Sequence, residues 1–245
     1  MLGAFPSVDP LGRRLIVVLQ GFPCSWGRCS FCPFYLEQSA SLRDILERNR
    51  SIVARAIELA REIRADRVTV FNGGSFFELP LAVIEMLKPL TRGRILDIES
   101  RPEFLSVSSV STVLRILEPS RLVVRVGLEV FDERIRNEVL GKGIPQSEIL
   151  RLSKLREDLR AIGSPVEVVA YVLFGIEGVP ESEVVRSVRE FNKLFDGVIA
   201  IRYRRYLPSH PSEAGVSDEL RSFLERSCMY VDWGEGEEWS IGSSK

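Results

Sequence analysis

Short apolar runs alternate with helical patterns along most of the chain, and this alternation most constrains its fold. Six runs rich in β-branched residues stand at 15–20, 68–71, 95–99, 122–130, 166–175 and 198–202. They are mostly continuous apolar segments, as is typical of strands that are covered on both faces. Between them, apolar residues recur at helical spacing, for example at Ile52, Ala56, Ala60 and Ile63.

Every gap between successive runs is long enough for a crossover helix, so the pattern predicts an α/β protein with six β/α units. Such a sheet either curls into a partial (β/α)6 barrel or stays open and doubly wound, and we favour the barrel over residues 1–206. Residues 207–245 are expected to form a C-terminal cap, with a helix near 218–226 and a hairpin through 229–241. In both arrangements, the loops at the carboxyl ends of the strands form the active face.

Composition narrows the chemistry of this face. His210 is the single histidine among 245 residues, which argues against a histidine-based triad or a multi-histidine metal centre. The formal net charge of −1 gives no global case for binding nucleic acid or anionic membranes. No leader opens the chain and no apolar run approaches the roughly 18 residues of a spanning helix, so we expect a cytoplasmic protein without membrane contact. Scarce amide residues beside abundant charge suggest a thermophilic source.

Three of the four cysteines crowd into the loop after the first predicted strand, with the spacing C-x4-C-x2-C. They are Cys24, Cys29 and Cys32, while Cys228 lies far away. Adjacent thiolates repel one another unless a cation neutralises them, so this loop suits a metal better than disulfides. Three thiolates on a four-iron, four-sulfur cubane leave one iron open to substrate or cofactor. Structural zinc is the alternative, and only Cys228 or His210 could complete its ligand set.

A glycine pair follows the second predicted strand, in the segment Gly73, Gly74 and Ser75. Without Cβ atoms, its backbone amides can approach a ligand closely. A tight strand-to-helix turn uses the same residues, so the pair is a weak signal on its own. Its position beside the cysteine loop favours a binding role.

Charged residues mark the third and fourth predicted strands. Glu99 and Arg101 end strand three, and Glu129 is the one acid near the end of the largely apolar strand four. A buried carboxylate must pair or bind a ligand, because an unpaired buried charge is costly. Arg101 and Arg125 are candidate structural partners of Glu129, and ligand binding is the equal alternative.

The last two predicted strands end in glycines and arginines. Strand five runs into a turn that contains Ile176 and Gly178. Strand six places Arg202, Arg204 and Tyr206 on one face, where they offer cationic and stacking contacts to a phosphate, carboxylate or base. Solvated arginines at a strand end are the alternative. No residue is assigned a catalytic role.

Together these features resemble the radical S-adenosylmethionine (radical SAM) enzymes, over residues 15 to about 206. The resemblance implies that Cys24, Cys29 and Cys32 hold a [4Fe-4S] cluster, whose open iron is chelated by the amino and carboxylate groups of S-adenosylmethionine. It carries Phe31 over as the aromatic residue near the adenine. The commonest spacing in the family is C-x3-C-x2-C, so this loop has one extra residue.

The resemblance also implies contacts to S-adenosylmethionine. Gly73, Gly74 and Ser75 look like the segment that receives the methionine amino group, although Glu78 falls two residues later than the usual acid of that segment. The implied contacts to ribose and carboxylate, and then to adenine, fall on Glu99, Arg101, Glu129, Ile176 and Gly178.

The strings CSWGRCSFC, FNGGSFFE, ESRPEF and VGLEVFDERIRNEVLGKG look most like the branch with the elongator-protein-3-like and archaeosine-synthesis enzymes. This implies cleavage of S-adenosylmethionine to a 5′-deoxyadenosyl radical, an electron donor of the reduced ferredoxin or flavodoxin type, and a tRNA nucleoside as substrate. tRNA or a tRNA-modifying enzyme would then be a partner. Two alternatives stay open: a radical SAM enzyme for a small anionic metabolite or peptide, and a noncatalytic zinc or iron-sulfur protein.

Overall fold

The computed structural model describes residues 2–234 and confirms the predicted α/β partial barrel. In this part of the chain the strands are β1 Gly3–Asp9, β2 Gly12–Val18, β3 Arg67–Phe71, β4 Ile95–Ser100, β5 Arg121–Glu129, β6 Val166–Phe174, β7 Gly197–Arg202 and β8 Tyr230–Asp232. The helices are α1 Leu42–Glu62, α2 Leu81–Met86, α3 Lys88–Thr91, α4 Val107–Leu117, α5 Gln146–Ala161, α6 Glu181–Leu194 and α7 Asp218–Ser227.

The strands form one sheet in the order of the sequence, from β1 to β8. The six predicted strands are β2 to β7, and each pairs in parallel with the next. Two further strands extend the sheet: β1 pairs antiparallel with β2, and β8 pairs parallel with β7. The prediction missed β1 because Pro6 and polar residues interrupt its apolar pattern.

The helices match the predicted periodicity with one difference in detail. The apolar pattern through residues 83–90 forms two short helices, α2 and α3, because Pro89 lacks the N–H that a continuous helix would need. Ser41 caps α1, since its side chain accepts a hydrogen bond from the Asp44 amide at 3.3 Å. Within residues 2–234, no helix combines the length and the apolar character that crossing a bilayer requires.

Side chains on the two faces of the sheet differ in character, as strand alternation requires. One face packs against the helices in the main apolar core; its residues include Val68, Val70, Leu96, Ile98, Leu122 and Val124. The other face lines the barrel lumen, where only a small apolar cluster forms; it contains Val123, Val169, Tyr171 and Ile199. Charged and hydroxyl groups fill much of the remaining lumen.

A buried carboxylate, Asp97, joins several strands across this lumen. Its Oδ2 accepts a hydrogen bond from Thr69 Oγ1 at 2.8 Å and pairs with the guanidinium of Arg125 at 2.5 Å. Arg125 also donates to the Tyr171 hydroxyl at 3.2 Å. These contacts connect β3, β4, β5 and β6, so one polar network links the middle parts of four successive strands.

The C-terminal part of the described chain contains the predicted helix, as α7. Glu181 at the start of α6 holds the beginning of α7, since its carboxylate accepts from the Ser217 amide at 2.7 Å and from the Ser217 hydroxyl at 2.6 Å. Within the predicted hairpin, β8 joins the barrel sheet, and the part beyond residue 234 lies outside the described residues. The division into residues 1–206 and 207–245 stays a prediction.

Asp97→Asn tests the network in the lumen. The variant removes the carboxylate charge that pairs with the buried Arg125 at 2.5 Å, so we expect the free energy of unfolding to fall by about 3–5 kcal/mol in urea titrations followed by circular dichroism. The control is Glu138→Gln, which removes an exposed pair with Arg134 and should cost less than about 1 kcal/mol. Equal losses in both variants would show that the lumen network is not a source of stability.

Candidate functional site

The cysteine loop lies at the carboxyl end of β2, and its thiols are close enough to influence one another. Cys24, Cys29 and Cys32 are half-buried and form no disulfide. Burial raises the pKa of Cys32 to about 11, with smaller upward contributions from the Cys29 and Cys24 thiols. Burial likewise raises the pKa of Cys29, and Lys142 is the largest opposing influence. The three thiols therefore share one half-buried region beside a cation.

Glu78 connects the cysteine loop to the glycine segment. Its Oε1 accepts a hydrogen bond from the Ser25 amide and its Oε2 accepts from the Ser75 amide, both at 2.7 Å. A Cβ on Gly74 would lie 2.8 Å from Glu78 Oε2 and 3.6 Å from Cys24 Cβ, so this position needs glycine. Glu78 thus links the cysteine loop to the glycine segment, a role that its sequence position alone did not indicate.

Gly73 and Ser75 also make contacts of their own. Gly73 has a φ of +70° and its carbonyl accepts from the Gln38 side chain at 2.8 Å. The Ser75 hydroxyl is buried and lies 2.9 Å from the Ser100 hydroxyl at the end of β4. The glycine segment therefore lies between the cysteine loop and β4, and its binding role stays a prediction.

Trp26 lies between Cys24 and Cys29. It anchors the cysteine loop on the side opposite to Glu78. Its indole N–H donates to the Gly141 carbonyl at 2.7 Å, and a Cβ on Gly143 would lie 2.0 Å from the ring. Arg101 and Arg28 lie over the ring at 5.0 and 5.3 Å from its centre. The segment between Cys24 and Cys29, which is one residue longer than the common family spacing, thus contains a large side chain that packs on the 139–143 loop.

Glu129 pairs with neither of the arginines expected from the sequence. Its Oε1 binds Lys142 Nζ at 2.9 Å, and the two side chains are 8% and 10% exposed. Arg125 instead binds Asp97, and Arg101 binds Glu103 at 2.5 Å and the Lys142 carbonyl at 3.1 Å. The prediction failed because the partner comes from the loop after β5. The signal that could have indicated Lys142 is its place between two glycines in a chain with few lysines.

Glu99 lies at the mouth of the barrel, beside Arg125 in strand register. Burial raises the pKa of its carboxyl group, whereas the hydrogen bond from the Tyr171 hydroxyl and the charge of Arg125 oppose the rise. Tyr171 is the contact that sequence analysis missed, because it faces Glu99 only when β6 curves around the lumen. Glu99, Arg101 and Glu129 all lie at the same end of the barrel as the cysteine loop.

Ile176 and Gly178 line a cavity of about 530 Å³ after β6, together with residues 179–180 and 212–214. Gly178 has a φ of +84°, which favours glycine. Ile176 forms an antiparallel bridge with Glu213, so the segment after β7 covers this turn. The predicted adenine-contact residues therefore lie at a concave surface of the expected face.

The residues predicted to share one face after β7 have different environments. Arg202 is engaged by the backbone, since its guanidinium donates to the Gly175 carbonyl at 2.6 Å and the Ala214 carbonyl at 2.8 Å. Arg204 donates to the Gly234 carbonyl, and Tyr206 is 39% exposed. Arg202 thus holds the turn after β6, and a substrate contact by any of the three stays a prediction.

Phe31 lies beside the cation of the site, with Lys142 Nζ 5.7 Å from its ring centre. Cys228 is half-buried at the end of α7, and burial raises its pKa to about 12.

Glu78→Ala tests the link that Glu78 forms between the cysteine loop and the glycine segment. Removal of the carboxylate leaves the Ser25 and Ser75 amides without their acceptor, so we expect faster amide hydrogen exchange across residues 24–32. Glu85→Ala, on an exposed position of α2, should leave the exchange of this segment unchanged. Unaltered exchange in Glu78→Ala would show that other contacts suffice to hold the loop.

No protein-family model matches the chain. An uncharacterised protein from Methanocaldococcus jannaschii is 24% identical over 200 residues, covering 76% of this chain and 53% of that protein. Archaeosine synthase subunit beta from Methanosarcina acetivorans is 26% identical over 187 residues, covering 72% of this chain and 53% of that protein. The chain thus spans about half the length of the curated relatives it matches.

Solved structures match over more of the chain. Queuine lyase from Clostridium spiroforme, bound to SAM and queuine, superimposes with a TM-score of 0.71 at 22% identity and 96% coverage of both chains. Methylornithine synthase gives a TM-score of 0.60 at 12% identity, covering 86% of this chain and 61% of that one. Coproporphyrinogen III oxidase from Escherichia coli, a radical SAM enzyme, gives 0.56 at 12% identity, covering 86% and 50%. The chain therefore has the same fold as these enzymes, one of which is a radical SAM enzyme.

Proposed function

We propose that this chain is a radical SAM enzyme that acts on a tRNA nucleoside, in a reaction similar to archaeosine synthesis. The observation that carries the proposal is the three-cysteine loop at the carboxyl end of the first parallel strand. Hydrogen bonds to Glu78 connect this loop to the glycine segment. When bound, a [4Fe-4S] cluster would supply the electron that cleaves S-adenosylmethionine to a 5′-deoxyadenosyl radical. That electron would come from a reduced ferredoxin or flavodoxin type of donor.

The donor set fits the cluster by its chemistry. Three neighbouring thiols without a disulfide are the usual ligands of iron-sulfur clusters, and Lys142 adds a buried positive charge beside them. Among residues 2–234, no three His, Cys, Asp or Glu side chains converge as a cage for one metal ion. The fit therefore depends on the thiols and their charged neighbours, and not on a preformed ion cage.

The other strand ends supply a binding surface for S-adenosylmethionine in this proposal. Gly73, Gly74 and Ser75 offer close backbone approach on one side of the cysteine loop. Phe31 offers an aromatic face, and the contacts to ribose, carboxylate and adenine are assigned to Glu99, Arg101, Glu129, Ile176 and Gly178. Glu99 is half-buried and interacts with the Tyr171 hydroxyl, and Glu129 is buried and pairs with Lys142.

The similarity to archaeosine synthase subunit beta supports a tRNA substrate and a partner enzyme. A specific observation favours a second candidate, a radical SAM enzyme for a small metabolite. Queuine lyase, whose structure superimposes on this chain with a TM-score of 0.71, was solved with the small molecule queuine.

Anaerobic reconstitution tests the cofactor. We expect about four irons and four sulfides per chain, and 5′-deoxyadenosine on addition of S-adenosylmethionine and dithionite. Cys29→Ala should lose both, and the matched control Cys228→Ala should keep both. Zinc without sulfide, or a cluster that never yields 5′-deoxyadenosine, would instead identify the chain as a noncatalytic metal protein.

Binding of bulk tRNA separates the two substrate classes. We expect a salt-dependent complex whose log-log salt slope falls by about one when Arg28 or Arg204, both exposed, is changed to glutamine. Arg13→Gln, at the opposite end of β2, is the control and should leave the slope unchanged. Absence of binding at low salt would favour the small-metabolite enzyme.

A further inference from the structure

We propose that Lys142 is a positioning residue for the cluster site: its buried ammonium is a fixed positive charge that makes a cluster on the cysteine loop easier to reduce. This inference rests on the proposed function, because it concerns the same three thiols. It adds a residue to which the sequence analysis assigned no role.

The ammonium is held in one place. Lys142 is 8% exposed, and its Nζ pairs with Glu129 Oε1 at 2.9 Å. The pair fits only because residue 127 is glycine, since a Cβ there would lie 2.7 Å from Glu129 Oε1 and 3.0 Å from Lys142 Nζ. Glu129 itself has a φ of +67°, a conformation that persists in a non-glycine residue only when its surroundings enforce it.

The cysteine loop is fixed relative to that charge by the loop that carries it. Trp26 donates to the Gly141 carbonyl at 2.7 Å. The Ser30 amide donates to the Leu140 carbonyl at 3.1 Å, and the Ser30 hydroxyl donates to the Val139 carbonyl at 3.0 Å. Trp26 and Ser30 lie between Cys24 and Cys32 in the chain, so the thiols and the ammonium cannot move apart without breaking these bonds.

The ammonium lies beside the cysteine loop. Lys142 Nζ is 5.7 Å from the centre of the Phe31 ring, and Phe31 is the residue before Cys32. The ion pair with Glu129 holds Lys142 as a cation in this position. A positive charge is therefore fixed next to the segment that carries the thiols.

The choice of lysine at this position is unusual for the chain. Only five of its 33 basic residues are lysines. Within the described residues the other three lysines, Lys88, Lys154 and Lys193, have side chains 43%, 66% and 65% exposed. A lysine ammonium is a compact point charge, which fits a narrow space between a carboxylate and an aromatic ring better than a planar guanidinium.

The expected effect follows from charge alone. Reduction adds one electron, supplied by the external donor, to a bound cluster that is surrounded by anionic thiolates. A fixed cation nearby stabilises the more negative state, and burial strengthens this interaction because solvent and salt screen it less. Loss of the cation must therefore shift the midpoint potential to more negative values.

The test is a redox titration of each reconstituted variant in the absence of S-adenosylmethionine. Electron paramagnetic resonance follows the reduced cluster, and the midpoint potentials of the variants are compared. At a fixed potential, Lys142→Met should lower the ratio of reduced to oxidised cluster about tenfold, equivalent to about 59 mV for one electron. Lys142→Arg should recover most of that ratio, because the charge returns. Lys154→Met, which removes an exposed lysine, should match the wild type.

Two measurements show whether a variant lost only the charge or also its fold. They are the iron and sulfide content after reconstitution and the melting temperature of the metal-free chain. If Lys142→Met does not fold, the double variant Lys142→Met with Glu129→Gln removes the unpaired carboxylate and should still show the lower ratio. Fully loaded variants with the wild-type potential would overturn the inference and leave the proposed function intact. A wild-type chain that takes up no cluster would overturn both.

Discussion

The buried pair of Asp97 and Arg125 is the interaction around which the barrel is organised. A carboxylate with no exposure to solvent is costly unless its charge is paired. Arg125 supplies the opposite charge and Thr69 a hydrogen bond, both to Oδ2, and Tyr171 accepts a hydrogen bond from the guanidinium. These three partners lie on three different strands, and Asp97 Oδ1 has no hydrogen-bond partner among the described residues. The lumen is therefore polar and specifically cross-linked, while the apolar core lies between the sheet and its helices.

That cross-linking determines where the loops at the carboxyl ends meet. Because β2 to β5 are successive neighbours in a curved sheet, the loop after β2 lies near the loops after β3 and β5. The cysteine loop is consequently held on two sides, by Glu78 from the glycine segment and by the 139–143 loop that receives Trp26. Its extra residue relative to the common family spacing is accommodated by this second contact.

Several parts of the site could be predicted from sequence because their signals are local. The spacing of Cys24, Cys29 and Cys32, the glycine pair and the charged strand ends are each contained in a few consecutive residues. Pairings across loops could not be predicted in the same way. Lys142 pairs with Glu129, from which it is separated by 13 positions and the π-helical turn Ile135–Val139. Tyr171 interacts with Glu99 although their strands, β6 and β4, are not adjacent.

The sequence by itself determined the order of strands and helices, the parallel sheet and the end of the sheet where the candidate site lies, because hydrophobic periodicity and chain connectivity are local properties. The tertiary structure decided which charges neutralise one another, with Glu129 on Lys142 and Arg125 on Asp97. It also decided that Arg202 holds a backbone turn. The physical reason is that electrostatic pairing depends on distances of a few ångströms between residues far apart in the chain, and only the curvature of the sheet sets those distances.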